Sequence, residues 1–148
     1  MTMVSGEIRI DAKQEIVWKV LADLGAVSTW NPSITNSYYT SEAKEGAGAS
    51  RHCDFPDGGY VNERATQWET GKLVRLYIYE GTVPFDDYYG TYSLSADGDE
   101  TLVSFALEYN IGPNTSLDPE RVDRQNRERL IPSVLNGLKQ YIETSPPG

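Results

Sequence analysis

The sequence contains very little cysteine or histidine, with only Cys53 and His52 among its 148 residues. A single cysteine excludes an intrachain disulfide and favours a reducing compartment, so we expect a cytoplasmic protein. One histidine and one cysteine do not supply the ligand set of a conventional zinc site, and no metal is predicted. The N-terminus lacks the basic start and apolar run of a signal peptide, and no apolar run is long enough for membrane insertion.

Basic residues are also scarce, because 13 Lys and Arg stand against 22 Asp and Glu, for a net charge of −9. This balance argues against nucleic acid as a partner. The glycine-rich stretch Glu45–Ser50 lacks the spacing and the following helix of a phosphate loop, so we predict no cofactor. The sequence shows no repeat or linker, which favours one domain, 1–148, whose oligomeric state the sequence leaves open.

The N-terminal part predicts one strand and two short helices. Met3–Ile10 alternates as a strand, and Asp11 is placed to cap the next helix with Gln14 as its capping-box partner. Val27–Trp30 predicts a second helical turn that stops before Pro32, because the residue before a proline is pushed out of the helical conformation. The first helix carries apolar residues at helical spacing, at Ile16, Val17, Val20, Leu21 and Leu24.

The middle of the chain changes to the period of two that is typical of strands. Six strands are predicted, at Ile34–Thr40, Ala49–Phe55, Tyr60–Glu69, Lys72–Glu80, Tyr88–Ser95 and Thr101–Ile111. The segments "PDGG" and "ADGDE" predict hairpins. The last strand places alternate apolar residues on one face, which indicates an antiparallel strand with one buried side.

The chain closes with a long predicted helix that Asp118 caps and Pro119 begins. Its charged first part, Asp118–Arg129, reads as a solvated face, whereas an apolar stripe dominates the second half. Pro132 should kink or split the helix. Segregated strands and helices indicate an α+β fold, in which a curved antiparallel sheet of about seven strands wraps around the long helix. One helix is too narrow to fill such a sheet, so we expect a cavity between them.

Four segments resemble one superfamily over nearly the whole chain. They are "IRIDAKQEIVWKVLADLGAVSTWNP", "GAGASRHCDFPDGGYVNERATQW", "RLYIYEGTVPFDDYYGTYSL" and "ETLVSFALEY". Together they resemble the START-like (SRPBCC) helix-grip superfamily, which includes the pollen-allergen fold, and in particular its bacterial polyketide cyclase/dehydrase group. The resemblance implies the helix-grip fold, but it is poor evidence for function because the superfamily spans binders, carriers, receptors and a minority of enzymes.

Arg51 and Glu63 are the strongest candidates for a functional pair. A register with one bulge or an odd loop residue places them opposite each other across the "PDGG" hairpin. On the inner face Arg51 would bind a ligand carboxylate or an enolate oxygen while Glu63 orients it. On the outer face the two would form a salt bridge of little energetic value. The family's arginine and "ER" positions favour the inner face.

Aromatic and apolar side chains complete the predicted cavity wall. Tyr92 shares the inward face of its strand with Tyr88 and, with Arg51 and Glu63, is a candidate catalytic residue that would act as a general acid. Trp30 is either part of the wall or core. Tyr79 is less well placed, because neighbouring apolar residues of its strand compete for the inner face. The predicted ligand-binding residues are Trp30, Arg51, Glu63, Tyr79, Tyr88, Tyr92, Phe105, Tyr109, Leu130, Val134 and Leu138.

Three further features are interpreted more plainly. His52 alternates to the face opposite Arg51 and reads as a solvated histidine. Cys53 shares the face of Arg51 and reads as a small buried apolar residue. Gly81–Gly90 reads as a connection near the cavity mouth, which either gates entry or simply joins two strands.

Three functions follow as hypotheses. The favoured one is binding of a hydrophobic or amphipathic small molecule, such as a lipid, a polyketide or a phenolic compound, in the internal cavity. The alternative is a polyketide cyclase/aromatase-type enzyme that uses Arg51 and cavity tyrosines. A second alternative is a co-chaperone-like interaction protein, for which an exposed apolar patch is expected.

Overall fold

The computed structural model describes residues 1–112 and 115–144. The chain begins with strand β1, Thr2–Ile10, followed by helix α1, Gln14–Ala22, and a 3₁₀ helix, Leu24–Thr29. This order confirms the predicted strand and the two short helices after it. The extent of the domain, 1–148, stays a prediction, since residues 113–114 and 145–148 lie outside the described ranges.

Six more strands join β1 in one sheet. They are β2 Asn36–Tyr39, β3 Ser50–Asp54, β4 Tyr60–Glu69, β5 Leu73–Gly81, β6 Phe85–Asp97 and β7 Glu100–Ile111. The described residues form a seven-stranded antiparallel sheet in the order β1-β7-β6-β5-β4-β3-β2. The predicted hairpins are confirmed between β3 and β4 and between β6 and β7. Gly58 and Gly98, at φ +91° and +64°, supply the left-handed conformations that these turns require.

The C-terminal helix is divided into three parts. Helix α2, Pro119–Gln125, leads into a π-helical turn, Asn126–Leu130, and then into helix α3, Ile131–Thr144. The predicted cap is confirmed, because the Glu120 backbone N–H donates to Asp118 Oδ1 at 3.2 Å. The predicted disturbance at Pro132 is also confirmed. Proline lacks an N–H and its ring excludes the carbonyl four residues earlier, so the wide turn lies directly before it.

The predicted cap of α1 is wrong. Helix α1 starts at Gln14, and Lys13 occupies the cap position without a side-chain hydrogen bond. The backbone N–H of Asp11 donates to Glu143 Oε2 at 2.9 Å, and Gln14 Nε2 donates to the Gly71 carbonyl at 2.7 Å. The helix begins three residues after Asp11, which places that carboxylate too early to cap it, and the Gln14 side chain is engaged by the β4–β5 turn instead.

The inner face of the sheet is covered unevenly. Helix α3 packs against β1 and β7, while the 3₁₀ helix packs against β2 and β3. Gly6 permits the first approach, because a Cβ there would lie 2.7 Å from Ile131 Cγ2. The apolar face of β7 is buried as predicted. Between the two covered regions the sheet, the π-helical turn and α3 leave an internal space.

Candidate functional site

A cavity of about 210 Å³ lies between the inner face of the sheet and the C-terminal helix. Its wall is mostly apolar, with contributions from the 3₁₀ helix, from strands β3 to β7 and from the helix. Apolar lining residues include Val27, Val61, Leu76, Phe105, Leu107 and Val134. A few polar side chains enter the same space, which is the composition typical of small-molecule sites.

Arg51 and Glu63 form a buried ion pair on the cavity wall. They are direct partners in the β3–β4 register, because the connection Phe55–Gly59 has an odd number of residues. Arg51 Nε donates to Glu63 Oε1 at 2.8 Å, and the two side chains are only 5% and 13% exposed. Arg51 Nη1 also donates to the Leu24 carbonyl at 3.1 Å, which ties the sheet to the 3₁₀ helix. The structure therefore favours the inner-face interpretation over a surface salt bridge.

Arg51 keeps its charge despite burial. Desolvation alone would lower the pKa of Arg51, but the adjacent Glu63 carboxylate outweighs it and raises that pKa above the usual range. Cys53, buried on the same face, contacts Glu63 Oε1 through Sγ at 3.6 Å. Burial raises the pKa of the Cys53 thiol to about 12, so it stays protonated at neutral pH and is not a nucleophile.

Tyr88 and Tyr92 line the cavity as predicted by strand alternation. The Tyr92 ring stacks on Phe105 with a centroid separation of 4.3 Å and meets the edge of Trp30 at 6.2 Å. Burial raises the pKa of both phenols well above 10. They are therefore neutral hydrogen-bonding groups at physiological pH and not bases.

Four predicted wall residues lie outside the cavity lining; three are buried, and the fourth, Tyr79, is exposed. Trp30 is 5% exposed and packs against the edge of Tyr92. It lies close to α3, where a Cβ on Gly137 would collide with the Trp30 carbonyl. Leu138 is fully buried in the core. Tyr109 is fully buried too, and its hydroxyl donates to Asp123 Oδ1 at 2.6 Å. The patterns of strand and helix correctly turned Tyr109 and Leu138 inward, and for Trp30 the structure favours the core over the cavity wall.

Tyr79 points away from the cavity, contrary to the prediction. It is 40% exposed, and the Arg64 guanidinium lies 5.2 Å from its ring centroid. The β4–β5 register shifts here, pairing Glu63 with Ile78 but Asn62 with Glu80, so Tyr79 is the bulged residue. Ile78 lines the cavity in its place, which resolves the face of β5 that the sequence left open.

Leu130, Val134 and Phe105 line the cavity together with the ion pair and the two tyrosines. The sequence thus located seven of the eleven proposed ligand-binding residues at this wall, namely Arg51, Glu63, Tyr88, Tyr92, Phe105, Leu130 and Val134. Whether each binds a ligand stays a prediction.

Comparison with known protein families identifies the family of this chain. The sequence matches the family described as "Polyketide cyclase / dehydrase and lipid transport" over residues 1–143. The chain belongs to this family. No curated protein sequence matches it.

Solved structures of similar shape confirm the START-like helix-grip fold of this family member. The protein XoxI from Bacillus cereus has a TM-score of 0.82 at 19% identity, over 97% of each chain. A START superfamily protein from Mycobacterium smegmatis has a TM-score of 0.81 at 18% identity, over 95% of this chain and 97% of that one. The Zhui aromatase/cyclase from Streptomyces sp. R1128 has a TM-score of 0.80 at 17% identity, over 96% and 93%.

Two asparagines that line the cavity of this family member were not predicted from the sequence. Asn31 is 7% exposed, and its Oδ1 accepts from the backbone and hydroxyl of Ser33. Asn126 is 8% exposed, although the charged run around it reads as a solvated face. A signal was present, because Asn126 lies four residues after Val122 and four before Leu130, within the apolar stripe of the helix.

The mouth of the cavity differs from its predicted form. Strand β5 continues to Gly81 and β6 begins at Phe85, so the connection is Thr82–Pro84 and not the longer segment predicted. Val83 and Phe85 line the cavity from this edge. About half of Gly81–Gly90 is paired in the sheet, which shortens the free connection, and a gating role for it stays a prediction.

His52 lies on the outer face, as its alternation predicts, but it is more enclosed than a solvated histidine. Its ring stacks between Tyr38 and Tyr60, at centroid distances of 4.9 and 5.4 Å. Nε2 contacts Asp54 Oδ1 and Nδ1 contacts Asn62 Oδ1, both at 2.7 Å. In the described ranges no three His, Cys, Asp or Glu side chains group as metal ligands, and no helix is long and apolar enough to cross a membrane.

Proposed function

We propose that this protein binds a hydrophobic or amphipathic small molecule in the internal cavity, in the cytoplasm. The observation that supports this proposal is a mostly apolar cavity of about 210 Å³ that several polar side chains enter. An apolar protein cavity of roughly 150 Å³ holds a benzene molecule. The volume here therefore favours a compact lipid fragment, polyketide or phenolic compound of about one to two rings.

The ion pair favours an uncharged group at its end of the cavity. Arg51 and Glu63 already neutralise each other, so a ligand carboxylate would bring one uncompensated charge into a desolvated space. The bonds from Arg51 and Cys53 both go to Glu63 Oε1, which leaves Oε2 as the oxygen to accept a ligand hydroxyl. A phenol or enol, which both donates and accepts, fits this pair better than the carboxylate considered from the sequence.

Native mass spectrometry of gently purified protein, before and after organic extraction, is the first test. A stoichiometric small molecule that disappears on extraction would support the proposal and identify the ligand class. Binding of the phenolic probe 2-naphthol should then be lost in Val134→Trp and in Tyr92→Trp, which fill the cavity, and kept in the exposed control Ile16→Trp. Unchanged 2-naphthol affinity in folded Val134→Trp and Tyr92→Trp would refute binding in this cavity.

A cyclase/aromatase reaction is the second candidate function. Arg51 and Tyr92 enter the same cavity, and the fold is similar to that of the Zhui aromatase/cyclase. In this mechanism Arg51 stabilises an enolate oxygen and the neutral Tyr92 hydroxyl donates a hydrogen bond to the forming alcohol. Turnover of a poly-β-ketone substrate should fall in Tyr92→Phe, while 2-naphthol binding persists. Turnover in Tyr92→Phe and in Arg51→Ala that equals the wild-type rate would exclude the mechanism.

The co-chaperone-like alternative receives no support from a specific feature. The large apolar side chains that are exposed, such as Met3, Ile16 and Tyr38, belong to different elements, β1, α1 and β2.

A further inference from the structure

One row of side chains crosses four strands on the outer face of the sheet, away from the cavity. Tyr38 of β2 is the register partner of His52 on β3. His52 in turn faces Asn62 on β4, which faces Glu80 on β5. Directly opposed residues of antiparallel strands lie on the same face, so these four side chains form one continuous line, here called the His52 row.

Both ring nitrogens of His52 meet oxygen atoms. Nδ1 lies 2.7 Å from Asn62 Oδ1, and Nε2 lies 2.7 Å from Asp54 Oδ1. The orientation of the Asn62 amide is fixed, because its Nδ2 donates to Glu80 Oε1 at 2.6 Å and a reversed amide would set two oxygens against each other. A ring that faces two acceptors needs two N–H donors, and only the imidazolium form carries both.

Loss of one proton from His52 would leave one of these short contacts without a donor. A neutral imidazole has a single N–H, so either Asp54 Oδ1 or Asn62 Oδ1 would face a ring lone pair at 2.7 Å. Two lone pairs at that distance repel each other, so the ring must move or the Asn62 amide must turn. Turning the amide also breaks its bond to Glu80. The His52 row therefore has two arrangements that differ by one proton.

Two tyrosines enclose the His52 ring. Tyr38 of β2 and Tyr60 of β4 stack on it at centroid distances of 4.9 and 5.4 Å. The face of an aromatic ring attracts a cation, so both tyrosines favour the charged form of the imidazole. The cation that β4 places on this outer face, Arg64, lies 5.2 Å from the centroid of the Tyr79 ring and is engaged in that separate contact.

Carboxylates supply the charges that act on the ring. Asp54 contacts it from the same strand, and Glu80 acts from β5 through the Asn62 amide. On the β2 side Asn36 Nδ2 donates to Asp54 Oδ2 at 3.2 Å and holds that carboxylate in place. Burial alone would lower the pKa of His52, but the bonds to Asp54 and Asn62 and the two negative charges outweigh it and raise that pKa above 6.5.

We propose that His52 is held as an imidazolium and that the His52 row forms a pH-sensitive clamp across strands β2 to β5. The adjacent cross-strand pair is Arg51 with Glu63, so the clamp holds the two strands that carry the ion pair of the cavity. The proposal concerns the outer face of the sheet and needs no ligand, so it stands apart from the proposed function.

The clamp is complete only within a window of pH. The pKa of His52 is raised, so its contribution is present below pH 6.5 and is lost as the pH rises through the folded-state value. The bonds from His52 and Asn36 lower the pKa of Asp54, so its contribution is present above pH 3.8 and is lost as the pH falls through the folded-state value. Both groups are charged between these two limits.

Proton NMR tests the charge state directly, because His52 is the only histidine of the chain and gives a single imidazole titration curve. The wild-type midpoint should lie above pH 6.5. It should fall in Asp54→Asn, which removes the carboxylate, and fall less in Glu80→Gln, which lets the Asn62 amide turn. Glu69→Gln, the same change at an exposed position of β4, should leave the midpoint unchanged. A wild-type midpoint at or below 6.5, or equal midpoints in wild type and Asp54→Asn, would overturn the proposal.

Thermal unfolding at two pH values tests whether the proton stabilises the sheet. His52→Phe keeps an aromatic ring between the two tyrosines and lacks both N–H donors. Wild-type protein should melt about 2–4 °C above His52→Phe at about pH 6, and the gap should shrink at about pH 9, where the ring is neutral. An equal gap at both pH values would show that the proton does not hold the row, and the clamp would be refuted.

Amide hydrogen exchange locates the effect within the sheet. After correction for the intrinsic pH dependence of exchange, amides of β2 and β3 should lose protection between these two pH values. Amides of β6 and β7, which lie outside the His52 row, are the internal control and should keep theirs. An equal loss in both regions would indicate a general destabilisation and would overturn the clamp. All three experiments use ligand-free protein, so their outcomes leave the proposed function to its own tests.

Discussion

Two regions of the buried interior are built on different principles. In the packed region, which comprises buried residues away from the cavity such as Val103, Tyr109 and Leu138, side chains are covered by α2, α3 or a neighbouring strand. In the cavity region, which comprises the lining residues, Arg51, Glu63 and Asn126 bring charges or an amide to a mostly apolar wall. The packed region therefore stabilises the fold through apolar burial, whereas the cavity region combines apolar lining with buried charges that destabilise the fold unless they are paired.

The polar groups illustrate this difference. The Tyr109 hydroxyl in the packed region is satisfied by Asp123. In the cavity region Arg51 Nε and Cys53 Sγ both contact Glu63 Oε1, so a single carboxylate oxygen takes both bonds. A hydroxyl with a fixed acceptor is compatible with a purely structural role, whereas a carboxylate whose second oxygen takes neither of these bonds is compatible with a ligand donor at the cavity wall.

Breaking the buried pair should give the largest effect. Arg51→Leu leaves Glu63 as an uncompensated charge and should lower the free energy of unfolding by about 3–5 kcal/mol. The double variant Arg51→Leu with Glu63→Leu should recover most of this loss, because no lone charge remains. Urea denaturation measures both, with Arg9→Leu as a control at the exposed pair that Arg9 forms with Asp97, where the loss should be about 0–1 kcal/mol.

A loss below about 1 kcal/mol in Arg51→Leu would show that water or relaxation reaches Glu63 and that the pair is not desolvated. The cavity region would then resemble a surface cleft, and a charged ligand group would no longer be disfavoured there.

A matched pair of leucines compares the regions without any charge. Leu138 is fully buried and away from the cavity, while Leu76 is 1% exposed and lines it. Leu138→Ala should lower the free energy of unfolding by about 3–5 kcal/mol, and Leu76→Ala by about 1 kcal/mol less. A side chain that borders an existing void has fewer atoms around it and loses fewer contacts on truncation. Equal losses, measured by thermal unfolding, would mean that Leu76 is packed as tightly as the core.

The overall fold was predictable because its signals are local and repeated. Alternation over β7, glycines at the hairpins, the Asp118 cap and Pro132 each specify one element, and together they specify the helix-grip order. The opposition of Arg51 and Glu63 also followed, since a hairpin with a defined turn fixes its register.

The cavity wall was less predictable because periodicity gives the direction of a side chain and not what it meets. Tyr109 and Leu138 point inward as expected, but α2 and the surrounding core cover them. Tyr79 was misplaced although Leu76 and Ile78 alternate to the cavity face, because the same alternation turns Tyr79 to the outer face. Asn126 was hidden in a charged run, where composition suggested a solvated face and the four-residue stripe gave the better indication.

A matched pair of tyrosines should give the smallest difference between the regions. Tyr109→Phe removes the bond to Asp123 and should lower the free energy of unfolding by about 1–2 kcal/mol at neutral pH. Tyr92→Phe should leave that free energy nearly unchanged, because its hydroxyl faces the cavity.

Burial and the Asp123 bond raise the pKa of Tyr109 to about 12 from 10.0. The unfolded chain therefore ionises first, so this contribution is complete below pH 10.0 and is lost as the pH rises towards about 12. Urea denaturation across this range should show the wild-type advantage over Tyr109→Phe shrinking with pH. An advantage that stays constant would mean that the Tyr109 hydroxyl is not held by Asp123, and the packed region would lose its best example of a satisfied polar group.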